Sequence, residues 1–262
     1  MTVVGERVPG HLRGLAEQVI AAAEADERLL AVIAGGSIAT GTSDEYSDLD
    51  LVLVCTPETH AECLAEAPEF ARRAGPLLAS FTGEHVGEPR LLIALYGPPL
   101  AHVDLKFVTP EDLRERVEDG VVLWQREDVV EAAYTEAVAH WPQPDPQWIE
   151  DRFWVWVHYI AVKIARGELF EAIDGLVMLR AAAIAPLAGI GRTTRPAGVR
   201  RLETLAPELV PALRETVATA DPADCLRALK ASVDVYRTVR EGSGVQVVRR
   251  TAAEEAVVDF LG

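Results

Sequence analysis

The sequence predicts an α/β (α+β) domain built on a short mixed sheet, followed by a C-terminal α-helical bundle. Three observations lead to that fold class. Apolar runs of strand length, closed off by Gly, Pro and polar residues, crowd the first half of the chain. The stretch Trp141-Pro142-Gln143-Pro144-Asp145-Pro146 then breaks the pattern, and beyond it the strand signal nearly vanishes. Four later segments instead repeat apolar residues at three- and four-residue steps. The expected domains are residues 1–140 and 149–262, joined by a linker at 141–148, and 262 residues suffice for two cores.

The elements follow in chain order. Leu12, Leu15, Val19, Ile20 and Ala23 share one face of a helix over residues 11–25. Residues 29–34 form a buried strand that ends in Gly35-Gly36, and residues 49–55 form a second, closed by Thr56-Pro57. The mix of small, apolar and charged residues over 58–73 predicts a helix. Strands are expected at 77–82, 91–96 and 102–108. The last two are joined by Gly97-Pro98-Pro99, whose prolines stop the ladder and suggest an antiparallel pair. Thr82-Gly83-Glu84-His85 reads as a hairpin turn. Thr109-Pro110-Glu111-Asp112 has the hydroxyl cap, proline and acids of a helix start. A short strand at 121–124 completes the first domain. Helices are expected at 153–166, 170–187, 199–219 and 223–240.

Composition narrows the partners. The net charge of −16, from 41 acidic and 25 basic side chains, repels phosphate backbones, so nucleic acid is disfavoured as a partner. The same surface tolerates a cationic small molecule. Cys55, Cys63 and Cys225 have no metal-ligand spacing and read as buried thiols of a reducing compartment. The first residues lack a signal-peptide core, and no apolar run approaches the roughly 20 residues that span a bilayer. The expected location is the cytoplasm, with no membrane partner.

Chemistry concentrates in "GGSIATGTSDEYSDLDLVLV", residues 35–54. Side chains alternate along a strand, so Asp48 and Asp50 share one face while Leu49, Leu51 and Leu53 anchor the other. Two carboxylates converging on one point call for a cation between them, and Mg²⁺ favours carboxylate oxygens combined with substrate phosphates. Gly35-Gly36-Ser37 sits where a strand turns into a helix, which lets backbone N–H groups approach an anion. Gly41 is expected to let the chain pass close to the nucleotide or metal. On the later strand, His102, Asp104 and Lys106 share a face opposite Val103, Leu105 and Phe107, so Asp104 offers a third carboxylate.

Gly36-Ser37, Gly41, Ser47-Asp48-Leu49-Asp50 and Asp104 together resemble the GS…G…SDxD…D pattern of the DNA polymerase beta-like nucleotidyltransferase superfamily. The domain order is similar to that of its antibiotic-modifying members, the aminoglycoside, kanamycin and lincosamide nucleotidyltransferases. The resemblance implies one or two Mg²⁺ ions on Asp48, Asp50 and Asp104. It also implies a nucleoside triphosphate, ATP foremost, held through Gly36, Ser37 and Ser47. A hydroxyl of a small molecule, with an aminoglycoside-like antibiotic as the lead, would attack the α-phosphorus and release pyrophosphate, with Asp104 as third ligand or as base. The site would lie between the domains.

Helical domains of this superfamily often lend a basic side chain to the triphosphate, and Lys163 is the candidate here. Trp154, Trp156, His158 and Tyr159 read as domain-interface core, and Arg192, Arg195, Arg200 and Arg201 as solvated charge. Two other readings stand beside this one. A protein-nucleotidylating, antitoxin-like enzyme fits the motif but not the long helical extension. A non-catalytic nucleotide-binding regulator fits the fold but not the intact carboxylates.

Overall fold

In the computed structural model, which describes residues 3–262, six strands form one sheet. They are β1 (Leu29–Ala34), β2 (Leu49–Cys55), β3 (Leu77–Gly83), β4 (Glu88–Tyr96), β5 (Ala101–Val108) and β6 (Val121–Gln125). Their order is β3-β4-β5-β2-β1-β6. Every neighbouring pair is antiparallel except β2 and β5, so the sheet is mixed. The helices that accompany it are α1 (Val3–Arg7), α2 (Gly10–Glu24), α3 (Gly36–Thr40), α4 (His60–Ala65), α5 (Ala67–Arg73) and α6 (Val129–Glu136).

Strict alternation makes one face of this sheet a core. Leu49, Leu51 and Leu53 of β2 and Val103, Leu105 and Phe107 of β5 are all at most 1% exposed, and they join a buried cluster with α2 and α5. The other face is covered only in part. There α6 and a single 3₁₀ turn, Asp112–Glu115, bury Ala31, Ile33, Val54 and Val108, and this cluster includes no residue of β3 or β4. The half of the face on β3, β4 and β5 is left to polar and partly exposed apolar side chains.

The chain divides into two compact units between His140 and Trp141. The second unit is all helical: α7 (Pro146–Ala165), α8 (Leu169–Leu179), α9 (Ala185–Gly189), α10 (Leu202–Leu205), α11 (Val210–Glu215), α12 (Pro222–Gly242) and α13 (Thr251–Leu261). A π-helical turn, Arg180–Ile184, joins α8 to α9. Trp141 Nε1 donates to the Pro196 carbonyl at 2.9 Å and Gln143 Nε2 to that of Thr194 at 3.0 Å, which fastens the proline-rich stretch to this unit.

Several expectations need correction. Residues 58–73 form two helices, because Pro68 opens a new helix after the break at Glu66. Thr109 and Asp112 do make the expected cap, with Thr109 N and Oγ1 donating to Asp112 Oδ2 at 2.7 and 2.8 Å. The helix stops after one 3₁₀ turn. Pro146 starts α7 seven residues earlier than periodicity suggested, capped by Asp145, which accepts from Gln147 N and Trp148 N. Pro207 and Pro211 split the helix expected at 199–219 into α10, a 3₁₀ turn and α11. Leu169–Gly189 has the length and composition of a membrane-crossing helix, although Glu171, Asp174 and Arg180 interrupt it. Half of that segment is buried inside the protein, where Ala172, Leu176, Leu179 and Ala183 belong to the helical core.

Candidate active site

The parallel pairing of β2 with β5 decides which side chains meet. Asp50 stands opposite Asp104 in register, with Leu49 opposite Val103 and Leu51 opposite Leu105. Partners in a ladder point to the same face about 4.8 Å apart, so two carboxylates more than fifty residues apart in sequence become lateral neighbours. Asp48 directly precedes β2 and is partly exposed, two residues from Asp50. The side chain of Asp104 is 26% exposed, and His102 Nε2 lies 3.0 Å from its Oδ1. β5 is an interior strand, and the partner of Asp104 there is His102. Lys106 turns instead to Glu88, at 2.7 Å.

The glycine turn closes over Asp50. Gly35 N donates to the Asp50 carbonyl at 2.9 Å, which ties the turn to β2. Gly36 has φ +55°, and a Cβ there would fall 1.9 Å from Asp50 Oδ2. No other residue fits that backbone so near the carboxylate. The amide of Gly36 donates to Glu118 Oε1 at 2.8 Å, so a fourth carboxylate reaches the site.

Glu118 sits on a braced loop. Arg116 stacks on the Tyr134 ring at 4.1 Å and pairs with Asp119 at 2.5 Å, while Tyr134 OH accepts from Gly120 N at 3.0 Å. Nothing local in the sequence marks Glu118, because the 82-residue separation from Gly36 is closed only by the sheet.

The remaining expected residues hold local roles in this structure. Ser37 Oγ accepts from Ser43 Oγ at 3.1 Å, and Thr42 N donates to the Ser37 carbonyl at 2.9 Å. Ser47 Oγ accepts from Asp44 N at 2.8 Å, part of a turn that leads into Asp48. Gly41, at φ +67°, ends α3 in the left-handed conformation, and a Cβ there would meet nothing within 4 Å. The left-handed cap by itself calls for a glycine there.

Within the second unit, Lys163 Nζ pairs with Glu168 at 2.6 Å and Glu171 at 3.0 Å. Hydrogen bonds donated to Glu168 and then Glu171 hold its pKa above the usual lysine range. A phosphate that reached it would compete with both carboxylates.

The donor set fits a hard cation: carboxylate oxygens from Asp48, Asp50 and Asp104 without thiolates, of the kind Mg²⁺ takes one or two at a time. Among the described residues no three His, Cys, Asp or Glu side chains are gathered into a ready metal cage. Phosphate oxygens of a substrate would have to complete the coordination.

Comparison with known proteins places the chain. A family model described as streptomycin adenylyltransferase matches residues 12–243. Among solved structures, the chain is similar to an aminoglycoside 6-adenyltransferase from Bacillus subtilis at 14% identity, over 94% of this chain and 95% of that one, with a TM-score of 0.38. It is also similar to a nucleotidyltransferase-like protein from Exiguobacterium sibiricum at 11% identity, over 90% and 77%, with a TM-score of 0.38. None of the curated proteins compared with the chain matches it. With the family model spanning most of both units, the chain belongs to the streptomycin adenylyltransferase family and is a nucleotidyltransferase.

Proposed function

We propose that the protein transfers AMP from ATP to a hydroxyl of a small molecule of the aminoglycoside type, with Asp48, Asp50 and Asp104 holding Mg²⁺. The observation that carries this reading is the register of β2 against β5, which sets Asp50 beside Asp104 on the half-open face of the sheet. A bound Mg²⁺ would neutralise charge on the triphosphate and on the attacking and leaving oxygens. The chain's own residues do the positioning. Gly36, with no side chain between its backbone and Asp50, lets a triphosphate approach the carboxylates, and Ser37 offers a hydroxyl. Asp104, oriented by His102, suits either a third ligand position or the uptake of the acceptor's proton. In-line phosphoryl transfer asks for little beyond such positioning and charge neutralisation.

The test is pyrophosphate release by purified protein given ATP, Mg²⁺ and streptomycin. Asp50→Asn keeps the side-chain shape and removes the charge. It is expected to lower turnover about 10²- to 10³-fold, equivalent to several kcal/mol of lost charge stabilisation. Its melting curve should match the parent's. Wild-type turnover in this variant, or failure of the parent to bind ATP with Mg²⁺, would remove the reading.

A further inference from the structure

The carboxylates end a longer ladder that the proposed reaction has not yet used. Asp50 pairs with Asp104, Asp104 with Ile93 of β4, and Ile93 with Phe81 of β3. All four side chains therefore stand in one row on the same face of the sheet. The adjacent row runs from His102 to Leu95 to Ala79. The opposite side chains of β4, Leu92, Ala94 and Tyr96, are buried at 1–2% exposure, which confirms the alternation.

On the ladder face Phe81 is 56% exposed and Leu95 38%. With the partly exposed Ile93 they give this face an apolar strip next to the carboxylates. The cations nearest the row are occupied: Lys106 and Arg90 both pair with Glu88 at 2.7 Å, and Arg90 also with Asp112 at 2.8 Å. Beyond Phe81 the row is bordered by His85, whose ring lies 5.5 Å from that of Phe81. The platform is thus apolar over Phe81, Ile93 and Leu95 and carboxylate-bearing at its Asp104 end.

Resting on the nucleotidyl-transfer reading, we propose that Phe81, Ile93 and Leu95 form the acceptor platform. The acceptor lays the C–H face of one ring on Phe81 while a hydroxyl on another ring reaches Asp104. Phe81 and Asp104 are separated by two strand spacings, about 9.6 Å. A single six-membered ring cannot cover both ends of that span. The platform therefore selects acceptors of two or more linked rings, and cationic substituents near the reacting hydroxyl suit the carboxylates at the Asp104 end.

The experiment compares streptomycin with its single-ring aminocyclitol, streptidine, in the parent, Phe81→Ala and Phe81→Trp. In Phe81→Ala the KM for streptomycin should rise about tenfold, the scale of one lost aromatic contact. The KM for ATP, the kcat and the KM for streptidine should stay as they were, and Phe81→Trp should restore the streptomycin value. Because Phe81 is exposed, the melting curve should not move. An unchanged streptomycin KM overturns the platform, as does a parallel rise for ATP or streptidine. If the parent releases no pyrophosphate with either acceptor or with a lincosamide, the transfer reading itself fails and takes the platform with it.

Discussion

At the residue scale the candidate site sets Asp50 and Glu118 against the Gly36 backbone, with Asp104 beside Asp50 in the ladder. The aspartates were legible in the sequence because each interrupts a run of buried residues: Asp50 lies between Leu49 and Leu51, and Asp104 between Val103 and Leu105. An acid in such a place must face away from the core. Glu118 was not legible, since an acid in a polar loop carries no such contrast. Its position has a consequence for the nucleotide. The Gly36 N–H that donates to Glu118 is the one through which the proposed site would hold a phosphate, and a carboxylate and a phosphate cannot both accept it. A hydrogen bond to a charged acceptor contributes roughly 1 kcal/mol more than one to a neutral acceptor. Glu118→Gln keeps an acceptor oxygen for the turn but gives up that advantage and the repulsion. The Kd for a non-hydrolysable ATP analogue with Mg²⁺ should therefore fall about fivefold by calorimetry. A weaker Kd would instead place Glu118 among the groups that favour the nucleotide.

At the element scale, the strands were legible because alternation reports burial directly, and all six lie where apolar runs end in Gly, Pro or polar residues. Helix lengths were less legible. Pro68, Pro207 and Pro211 each begin a helical segment in a place where amphipathic spacing alone runs on. The tie between α7, α12 and α13 was invisible for another reason, because an acid within a helical pattern reads as solvated. Glu150 of α7 is 1% exposed. It accepts from Tyr236 OH at 2.5 Å, Arg240 Nη1 at 3.1 Å and Arg250 N at 2.9 Å. Glu254 of α13 takes the same Arg240 at 3.2 Å together with Arg237 and Arg249. Removing the arginine leaves both carboxylates buried with a partner lost, so Arg240→Met should cost about 3–5 kcal/mol in urea unfolding of the full chain. Burial pushes the pKa of Glu150 up, but Tyr236, the Arg250 amide and Arg240 outweigh it and leave the pKa below the usual carboxylate range. Glu254 follows the same pattern through Arg249 and Arg237. A depressed folded-state pKa contributes stability that is present above the unfolded value, about 4.3, and is lost as pH falls through the folded one. Melting temperature should accordingly hold near neutrality and drop below about pH 4.3, and Glu150→Gln should flatten that drop.

At the scale of the whole molecule, a net charge of −16 makes the binding of a triphosphate the step most in need of a counter-ion. Lys163 is already engaged by two glutamates, and the cations closest to the ladder face are held by Glu88 and Asp112. ATP alone would bring further negative charge to Asp48, Asp50 and Asp104. Mg²⁺ alone would meet carboxylates not gathered into a cage among the described residues. The two together satisfy each other, so binding should be cooperative between metal and nucleotide. A ligand that binds only the native state stabilises it by about 2.7 kcal/mol at a hundredfold excess over its Kd. The melting temperature is therefore expected to rise by a few degrees with ATP and Mg²⁺ present together. The rise should be far smaller with either alone and should disappear when EDTA is added to the pair. Asp50→Asn should lose most of the rise while starting from the parent's melting temperature. An equal rise with ATP in EDTA would show that the carboxylates take no part in holding a metal, and that the nucleotide is bound through contacts elsewhere in the chain.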